Sequence, residues 1–322
     1  MIDRLLSGQS GGGVNGIWLP ILVVVALAAF FSIATEAFFS LRNMTALSGQ
    51  ASTLLIVCLG ASFVILMGSI DLSVGAMVLL VGAVTVKLLN VWDLGVAAPL
   101  FALAFGALLG TVNGLIFAFG RIPSFVVTLG TLSVFTGAAW EILQGRAVGY
   151  RSYAFEDLAI GQLIPFVQNI ALFALGAWLI LSVIGFKTRF GRYMYIIGGG
   201  EAVASTVGIP VRRFKIYAFA LSGAMAGFGG ALAVARLGAA GPTLGQDLLL
   251  NSLAAIVVGG TSLSGGVGGV HRTLLGVLII TFLDNGLNLM GVNQYSQMII
   301  KGLVVIGAVL IGQDRTKLQV MK

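Results

Sequence analysis

Ten long runs of apolar residues, separated by short polar or glycine- and proline-rich breaks, leave this 322-residue chain few ways to fold. A helix needs about 20 apolar residues to cross the hydrocarbon core of a bilayer, where backbone polar groups must be satisfied internally. Charged residues make up 9% of the chain, against about 25% in soluble domains, and the mean hydropathy is +1.05. The sequence therefore predicts an all-α polytopic membrane protein, with about ten transmembrane helices in a single domain over 1–322. The runs lie near 17–34, 46–67, 74–90, 95–119, 124–143, 165–186, 215–235, 246–263, 273–291 and 295–312.

The distribution of positive charge predicts the orientation of these spans. With ten spans both termini lie on one side, and the segments on that side hold about twelve Lys and Arg residues, against about five on the other. Cytoplasmic loops carry the excess of Lys and Arg, so we predict that both termini are cytoplasmic. Because cations flanking apolar runs set topology and attract anionic lipid, the net charge of +7 is not a sign of nucleic-acid binding.

One acidic residue, Asp71, lies between the second and third runs, in Gly68-Ser-Ile-Asp-Leu-Ser-Val-Gly75. A carboxylate at mid-bilayer costs about 2.5–3.5 kcal/mol on insertion scales, so Asp71 needs a partner. One interpretation is a cap, in which Asp71 or Ser73 accepts hydrogen bonds from the first free N–H groups of the third helix. The other is a role in a gate or a translocation pathway.

A second polar group lies in the last two runs, where Asp284, Asn285 and Asn288 precede a turn near residue 292 and Lys301 follows it. Asp284 and Lys301 are each about nine residues from the turn, which puts both about 13 Å from it at the helical rise of about 1.5 Å per residue. We predict that they pair, or that they share a polar cluster with Asn285 and Asn288. The pair is either structural or part of the solute path.

Glycine is abundant, with 46 residues, and several glycines recur at helical spacing. Membrane helices associate through close backbone approach, which small residues permit. Such ladders indicate either tight static packing or smooth faces that let helices slide. One ladder is formed by Gly106, Gly110 and Gly114, a second by Gly223, Gly227 and Ala231, and a shorter one by Gly265 and Gly269.

The chain contains no G-x-x-x-x-G-K-[ST] phosphate loop, and its single cysteine and single histidine exclude Cys-cluster and multi-His metal centres. Uphill transport would then use an ion gradient or the ATP hydrolysis of another subunit, and few intramembrane ionisable groups are present for the former. The loop 187–214, on the predicted cytoplasmic side, favours the use of ATP hydrolysis by another subunit. Within it, Glu201–Val207 predicts a two-turn helix that follows three glycines and ends at Gly208, before Pro210. This helix is either a docking element for a soluble ATPase or an ordinary surface helix.

Four stretches, in order along the chain, make the sequence resemble the membrane permeases of ribose-type (monosaccharide) bacterial ABC importers. They are 68–75; Asn113-Gly114 with 121–131; 189–193 with 198–208; and 254–266 with 285–288. The first and last stretches also resemble each other, as Gly-x-x-[Asp/Ser]-Leu-Ser-x-Gly. The chain departs from the family pattern at Gly200, where relatives commonly have Asn, and at Asp284, where an uncharged residue is more usual.

The resemblance implies an ABC importer permease fold in the bacterial inner membrane and the import of a monosaccharide or similar polyol. It also implies two ATP-binding cassette subunits that bind ATP-Mg, a periplasmic solute-binding protein, and a second permease copy or paralogue, with no cofactor on this chain. The alternative is an autonomous ion-coupled carrier or channel. The coupling residues would be Glu201, Ala202, Ala204 and Gly208; candidates for the translocation pathway or its gate are Asp71, Ser73, Asn113, Asp284, Asn285, Asn288 and Lys301.

Overall fold

A computed structural model describes residues 15–92 and 94–312 of the chain, with side chains from 18 to 307 within those ranges. The described chain is mainly helical, with two very short strands. In order, the elements are α1 (Asn15–Ala34), α2 (Leu41–Leu66), α3 (Val74–Trp92), α4 (Ala98–Gly120), α5 (Ser124–Leu143), β1 (Val148–Gly149), α6 (Tyr153–Ile160), α7 (Asn169–Lys187), α8 (Arg189–Gly199), α9 (Glu201–Thr206), α10 (Val211–Leu237), β2 (Ala239–Ala240), α11 (Leu248–Val258), α12 (Thr273–Leu289) and α13 (Gln294–Gly312). Single 3₁₀ turns at Gly95–Ala97 and Val270–Arg272 lead into α4 and α12.

Seven helices in the described residues have the length and apolar composition to cross a membrane, which confirms the polytopic all-α class. They are α2, α3, α4 with its 3₁₀ turn, α5, α7, α10, and α12 with its 3₁₀ turn. Two further apolar helices, Trp18–Ala34 and α11, are shorter.

The predicted span at 246–263 is wrong as a full-length helix. Helix α11 has 11 residues, which extend about 16 Å, roughly half of a hydrocarbon core. It ends at Val258 because the chain then runs through closely spaced glycines, several of which adopt positive φ angles that interrupt a helix. Gly265 and Gly269 therefore lie in an irregular loop and do not form a helical ladder.

Helix α10 lies at the centre of the fold and packs on α2, α3 and α4. Its contact with α4 joins the two main predicted glycine ladders. A Cβ atom at Gly110 would collide with the Phe219 carbonyl oxygen, and one at Gly223 with the Gly106 carbonyl oxygen. The two helices therefore approach each other through their main chains, as tight packing of small residues predicts.

The connections gather at two ends of the bundle. At one end, called the basic end, the turn 67–73 meets the segment 188–210 and the loop 259–272, beside Lys187, Arg189, Arg192, Arg212 and Arg213. At the other, called the opposite end, β1 pairs with β2 in antiparallel register, Val148 with Ala240 and Gly149 with Ala239. The Asn90 side chain, at the end of α3, donates to the Gly149 carbonyl there at 3.0 Å.

Candidate coupling and translocation sites

The short helix predicted in the 187–214 loop is present as α9, one residue shorter than predicted. It ends in a Schellman motif: Gly208 has φ +82°, its N–H donates to the Ser205 carbonyl at 3.1 Å, and the Ile209 N–H donates to the Ala204 carbonyl at 3.1 Å. Glycine suits this left-handed position because it has no Cβ atom to clash. The motif fixes where the chain leaves α9 for α10.

Helix α9 is buried on one side and open on the other. Ala204 is fully buried, whereas Glu201 and Ala202 are exposed, and Val203 and Val207 are 64% and 66% exposed. The exposed side therefore presents two valines beside the cationic residues of the basic end.

An ion pair ties α9 to α10. Lys215 Nζ lies 2.7 Å from Glu201 Oε1 and 4.3 Å from the ring centroid of Phe117, near the end of α4. The ammonium thus neutralises a carboxylate and makes a cation–π contact. This lysine therefore links α9 to α10 and also contacts α4.

Three glycine-containing segments meet at the end of α8, just before α9 in the chain. We call this contact the glycine junction; its residues are Gly68, Gly198, Gly265 and Gly266. A Cβ atom at Gly198 would collide with the Leu66 carbonyl oxygen and the Gly266 nitrogen, and one at Gly265 with Gly68. The Gly266 N–H donates to the Leu66 carbonyl at 2.9 Å. The two similar Gly-x-x-[Asp/Ser]-Leu-Ser-x-Gly segments therefore touch each other. Sequence reasoning noted their similarity but did not predict this contact.

A tyrosine in α8 also holds the loop 259–269 in place. The Tyr195 hydroxyl donates to the Gly268 carbonyl at 3.1 Å. Burial raises the pKa of the Tyr195 phenol above its ordinary value, with Arg272 opposing the shift. The phenol therefore stays protonated, and remains a donor, throughout the physiological pH range.

Asp71, Ser73 and Asn113 form one buried network with Ser222 of α10. Asp71, which is 2% exposed, accepts from the Ser73 N–H at 3.0 Å and the Ser73 hydroxyl at 2.6 Å. The Ser222 hydroxyl donates to its other carboxylate oxygen at 3.0 Å, and the Asn113 amide donates to the Ser73 hydroxyl at 2.8 Å. The predicted cap has Asp71 accept from the first N–H groups of α3, whereas the N–H that it accepts belongs to Ser73, one residue before that helix. The carboxylate thus stabilises the turn just before α3, and its network also joins α4 and α10 to that turn.

The predicted pairing of Asp284 with Lys301 is confirmed: Lys301 Nζ lies 3.3 Å from Asp284 Oδ1, with the two side chains 18% and 12% exposed. The alternative prediction, a polar cluster shared with Asn285 and Asn288, is wrong. Asn251 of α11 donates to Asp284 Oδ2 at 3.3 Å, a partner that sequence reasoning missed.

The two asparagines of α12 have different surroundings. Asn285 is rotated by about 100° from Asp284 around the helix, and it exchanges two 2.9 Å hydrogen bonds with Asn43 of α2. Asn288 lies one turn closer to the end of α12 and is exposed. Asn285 therefore joins helices, whereas Asn288 faces outward.

A bundle of helices with the length and apolar composition to cross a membrane defines a polytopic membrane protein. The chain belongs to the family described as branched-chain amino acid transport system / permease component, whose sequence profile matches residues 43–309. It is 38% identical over 302 residues to the ribose import permease protein of Escherichia coli K12, which covers 92% of this chain and 93% of the relative. The ribose import permease protein of Bacillus subtilis 168 is also 38% identical (92% of each chain). The D-allose transport system permease protein of E. coli K12 is 34% identical (90% and 89%). No solved structure matches the chain.

These findings confirm the resemblance to ribose-type importers. The chain is an ABC importer permease, a transport subunit of the bacterial inner membrane. Permease components of ABC importers work with ATPase and solute-binding partners.

Proposed function

We propose that this chain carries a monosaccharide or similar polyol from the periplasm to the cytoplasm. The names of its relatives refer to ribose and allose, which are neutral polyhydroxylated solutes of one size class. In this proposal the whole chain 1–322 is one transmembrane domain that crosses the membrane ten times, one of these crossings being made by the short helix α11 and the glycine-rich loop after it. Both termini are cytoplasmic, and the basic end faces the cytoplasm. The positive-inside rule supports this orientation, because the cationic residues of 187–215 lie at that end.

The observation that carries the proposal is the position of α9. It lies at the surface of the basic end with Val203 and Val207 exposed, while Gly198, three residues before it, is part of the glycine junction. Two ATP-binding cassette subunits, which hold the ATP-Mg, would dock on α9 of this permease and of a second copy or paralogue. A periplasmic solute-binding protein would deliver the sugar to the opposite end.

The coupling loop 187–214 then transmits movement in two directions. Its Gly198 contacts the turn that holds Asp71, and its Glu201 forms an ion pair with Lys215 of α10. Transport needs two conformations that the ATPase binds with different affinity. Asp71, Ser73, Asn113 and the Asp284–Lys301 pair remain the candidate positions for the pathway and its gate, together with Asn285 and Asn288.

The coupling element is tested with Gly208→Pro. Proline cannot adopt φ +82°, and it removes the N–H that donates to Ser205. Glu201→Arg, which places a second cation against Lys215, tests the ion pair separately. In proteoliposomes containing the full importer, we expect both variants to keep ATPase activity and lose ATP-driven sugar uptake. Gly199→Ala is the matched control, since a Cβ atom there meets nothing within 4 Å. Normal uptake by Gly208→Pro and Glu201→Arg would contradict the assignment of α9.

The same vesicles distinguish the alternative function. An ion-coupled carrier would accumulate sugar when this chain is reconstituted alone under a proton or sodium gradient. We expect no uphill uptake without the ATPase, so accumulation by the chain alone would overturn the proposed mechanism.

A further inference from the structure

A polar cavity with a volume of about 290 Å³ lies among α2, α10, α11 and α12, close to β2 at the opposite end. Its walls come from the first half of α2, the end of α10, the connection 239–247, and the facing sides of α11 and α12. The polar side chains that line it include Gln50, Arg236, Asp247, Asn251, Thr281 and Asp284. The cavity is therefore lined by groups from three consecutive helices, α10, α11 and α12, and from the distant helix α2.

Two polar groups facing this cavity have no partner in the part of the chain that the structure describes. Thr281 is 1% exposed, and its hydroxyl makes no hydrogen bond. Threonine in a helix commonly bonds back to a carbonyl one turn earlier, as Thr45 does to Leu41. Arg236 likewise forms neither an ion pair nor a hydrogen bond with the described residues. Buried polar groups are normally satisfied, so two unpartnered groups that face the same cavity are available to bond a ligand there.

The charges around the cavity balance. Arg236 and Asp247 contribute one positive and one negative charge, and the charge of Asp284 is neutralised by Lys301. An anionic or cationic solute would leave an uncompensated charge in this half-buried space, whereas a neutral solute would not. Guanidinium and carboxamide groups donate hydrogen bonds, carboxylates accept them, and a threonine hydroxyl does both, which matches a ligand that carries several hydroxyl groups.

We propose that this polar cavity binds a neutral polyhydroxylated solute of monosaccharide size, held by Arg236, Asn251, Thr281 and Asp284. The proposal rests on the proposed function and adds to it a recognition site within the permease itself. Such a site lets the permease, as well as the solute-binding protein, discriminate among solutes.

The native cysteine content makes a direct binding test possible. The only cysteine, Cys58, is completely buried, so a Thr243→Cys substitution places a single accessible thiol on the cavity wall without removing a proposed ligand group. The purified permease–ATPase assembly is labelled with a small methanethiosulfonate in the presence of D-ribose, D-allose or D-galactose. We expect at least one sugar to slow labelling several-fold and saturably. Arg151→Cys, an exposed position at the same end outside the cavity, is the control whose labelling should not change.

Recognition is tested on the Thr243→Cys background with Thr281→Val and Arg236→Gln. Losing one hydrogen bond to the ligand should weaken sugar protection about 5- to 20-fold. Thr85→Val is the matched control, because Thr85 is also a fully buried threonine with an unpartnered hydroxyl but does not line the cavity. It should leave protection unchanged even if it lowers the thermal stability of the protein.

The outcomes separate this proposal from the proposed function. ATP-driven uptake of a sugar that does not protect Thr243→Cys would overturn the cavity site alone. Equal protection of Thr243→Cys and Arg151→Cys would also overturn it, as would stronger protection by D-ribose 5-phosphate than by the neutral sugars. Protection of Thr243→Cys without any ATP-dependent uptake would support the cavity site and overturn the proposed import function.

Discussion

Replacing Lys301 by methionine tests the ion pair between the last two helices. The 3.3 Å separation of Lys301 Nζ and Asp284 Oδ1 corresponds to a Coulomb attraction of about 5 kcal/mol at an effective dielectric constant of about 20, before the cost of desolvating both ions. Removing one partner of a buried pair typically costs about 3–5 kcal/mol, because the other charge stays buried and uncompensated. Since both side chains retain some exposure and Asn251 still donates to Asp284, we expect a loss of about 3 kcal/mol in the free energy of unfolding.

The assay uses the buried thiol of Cys58. A fluorogenic maleimide reacts with Cys58 only after the purified permease unfolds, so its signal follows an equilibrium denaturant titration in detergent. Lys87→Met is the control, because Lys87 is exposed near the end of α3 and should change the stability by less than about 0.5 kcal/mol. The double variant Asp284→Asn/Lys301→Met should recover most of the loss, because neither charge is then left buried without its partner. The reasoning is refuted if Lys301→Met behaves like Lys87→Met, or if the double variant is as unstable as the two single changes added together.

Two further predictions use the same unfolding assay. Gly110→Ala should destabilise the protein by about 1–3 kcal/mol, because its Cβ atom collides with a main-chain carbonyl of α10. Gly137→Ala, in open space on α5, should be neutral or slightly stabilising; similar losses in both variants would show that the α4–α10 approach is not close. Asp71→Ala should cost about 2–4 kcal/mol, because it leaves the buried hydroxyls of Ser73 and Ser222 without their acceptor. An unfolding midpoint equal to that of the native chain would contradict the network around Asp71.

The features that the sequence predicted are those set by local helical geometry. Helix α9 was predictable because three glycines precede it and Gly208 ends it. The Asp284–Lys301 pair was predictable because two consecutive antiparallel helices share one turn, so that counting residues from the turn gives the depth of each side chain. Such arguments need no knowledge of which helices are neighbours.

The remaining contacts depend on helix neighbours, and periodicity does not specify these. Asn251 reaches Asp284 from 33 residues away, and Asn43 pairs with Asn285 across 242 residues. The hydropathy pattern also predicted a full-length span at α11, which is wrong. A short apolar helix followed by a glycine-rich loop has a mean hydropathy similar to that of a full span. The residues with positive φ angles just beyond Val258 are glycines. Their close spacing in the sequence was therefore the signal that could have predicted the early end of α11.

Helix α10 contacts all three candidate sites through nearly one face. Lys215 pairs with Glu201 of α9, Ser222 donates to Asp71, and Arg236 faces the polar cavity. Positions 215 and 222 are about two helical turns apart, and positions 222 and 236 about four turns, so the three side chains lie along one stripe. The main-chain contacts between α10 and α4 resist bending of α10, because packed interiors do not deform continuously. A shift of α10 imposed at Lys215 therefore changes the environments of Asp71 and the cavity together. This would give the proposed ATPase docking at one end of the bundle a direct physical route to the proposed solute site at the other.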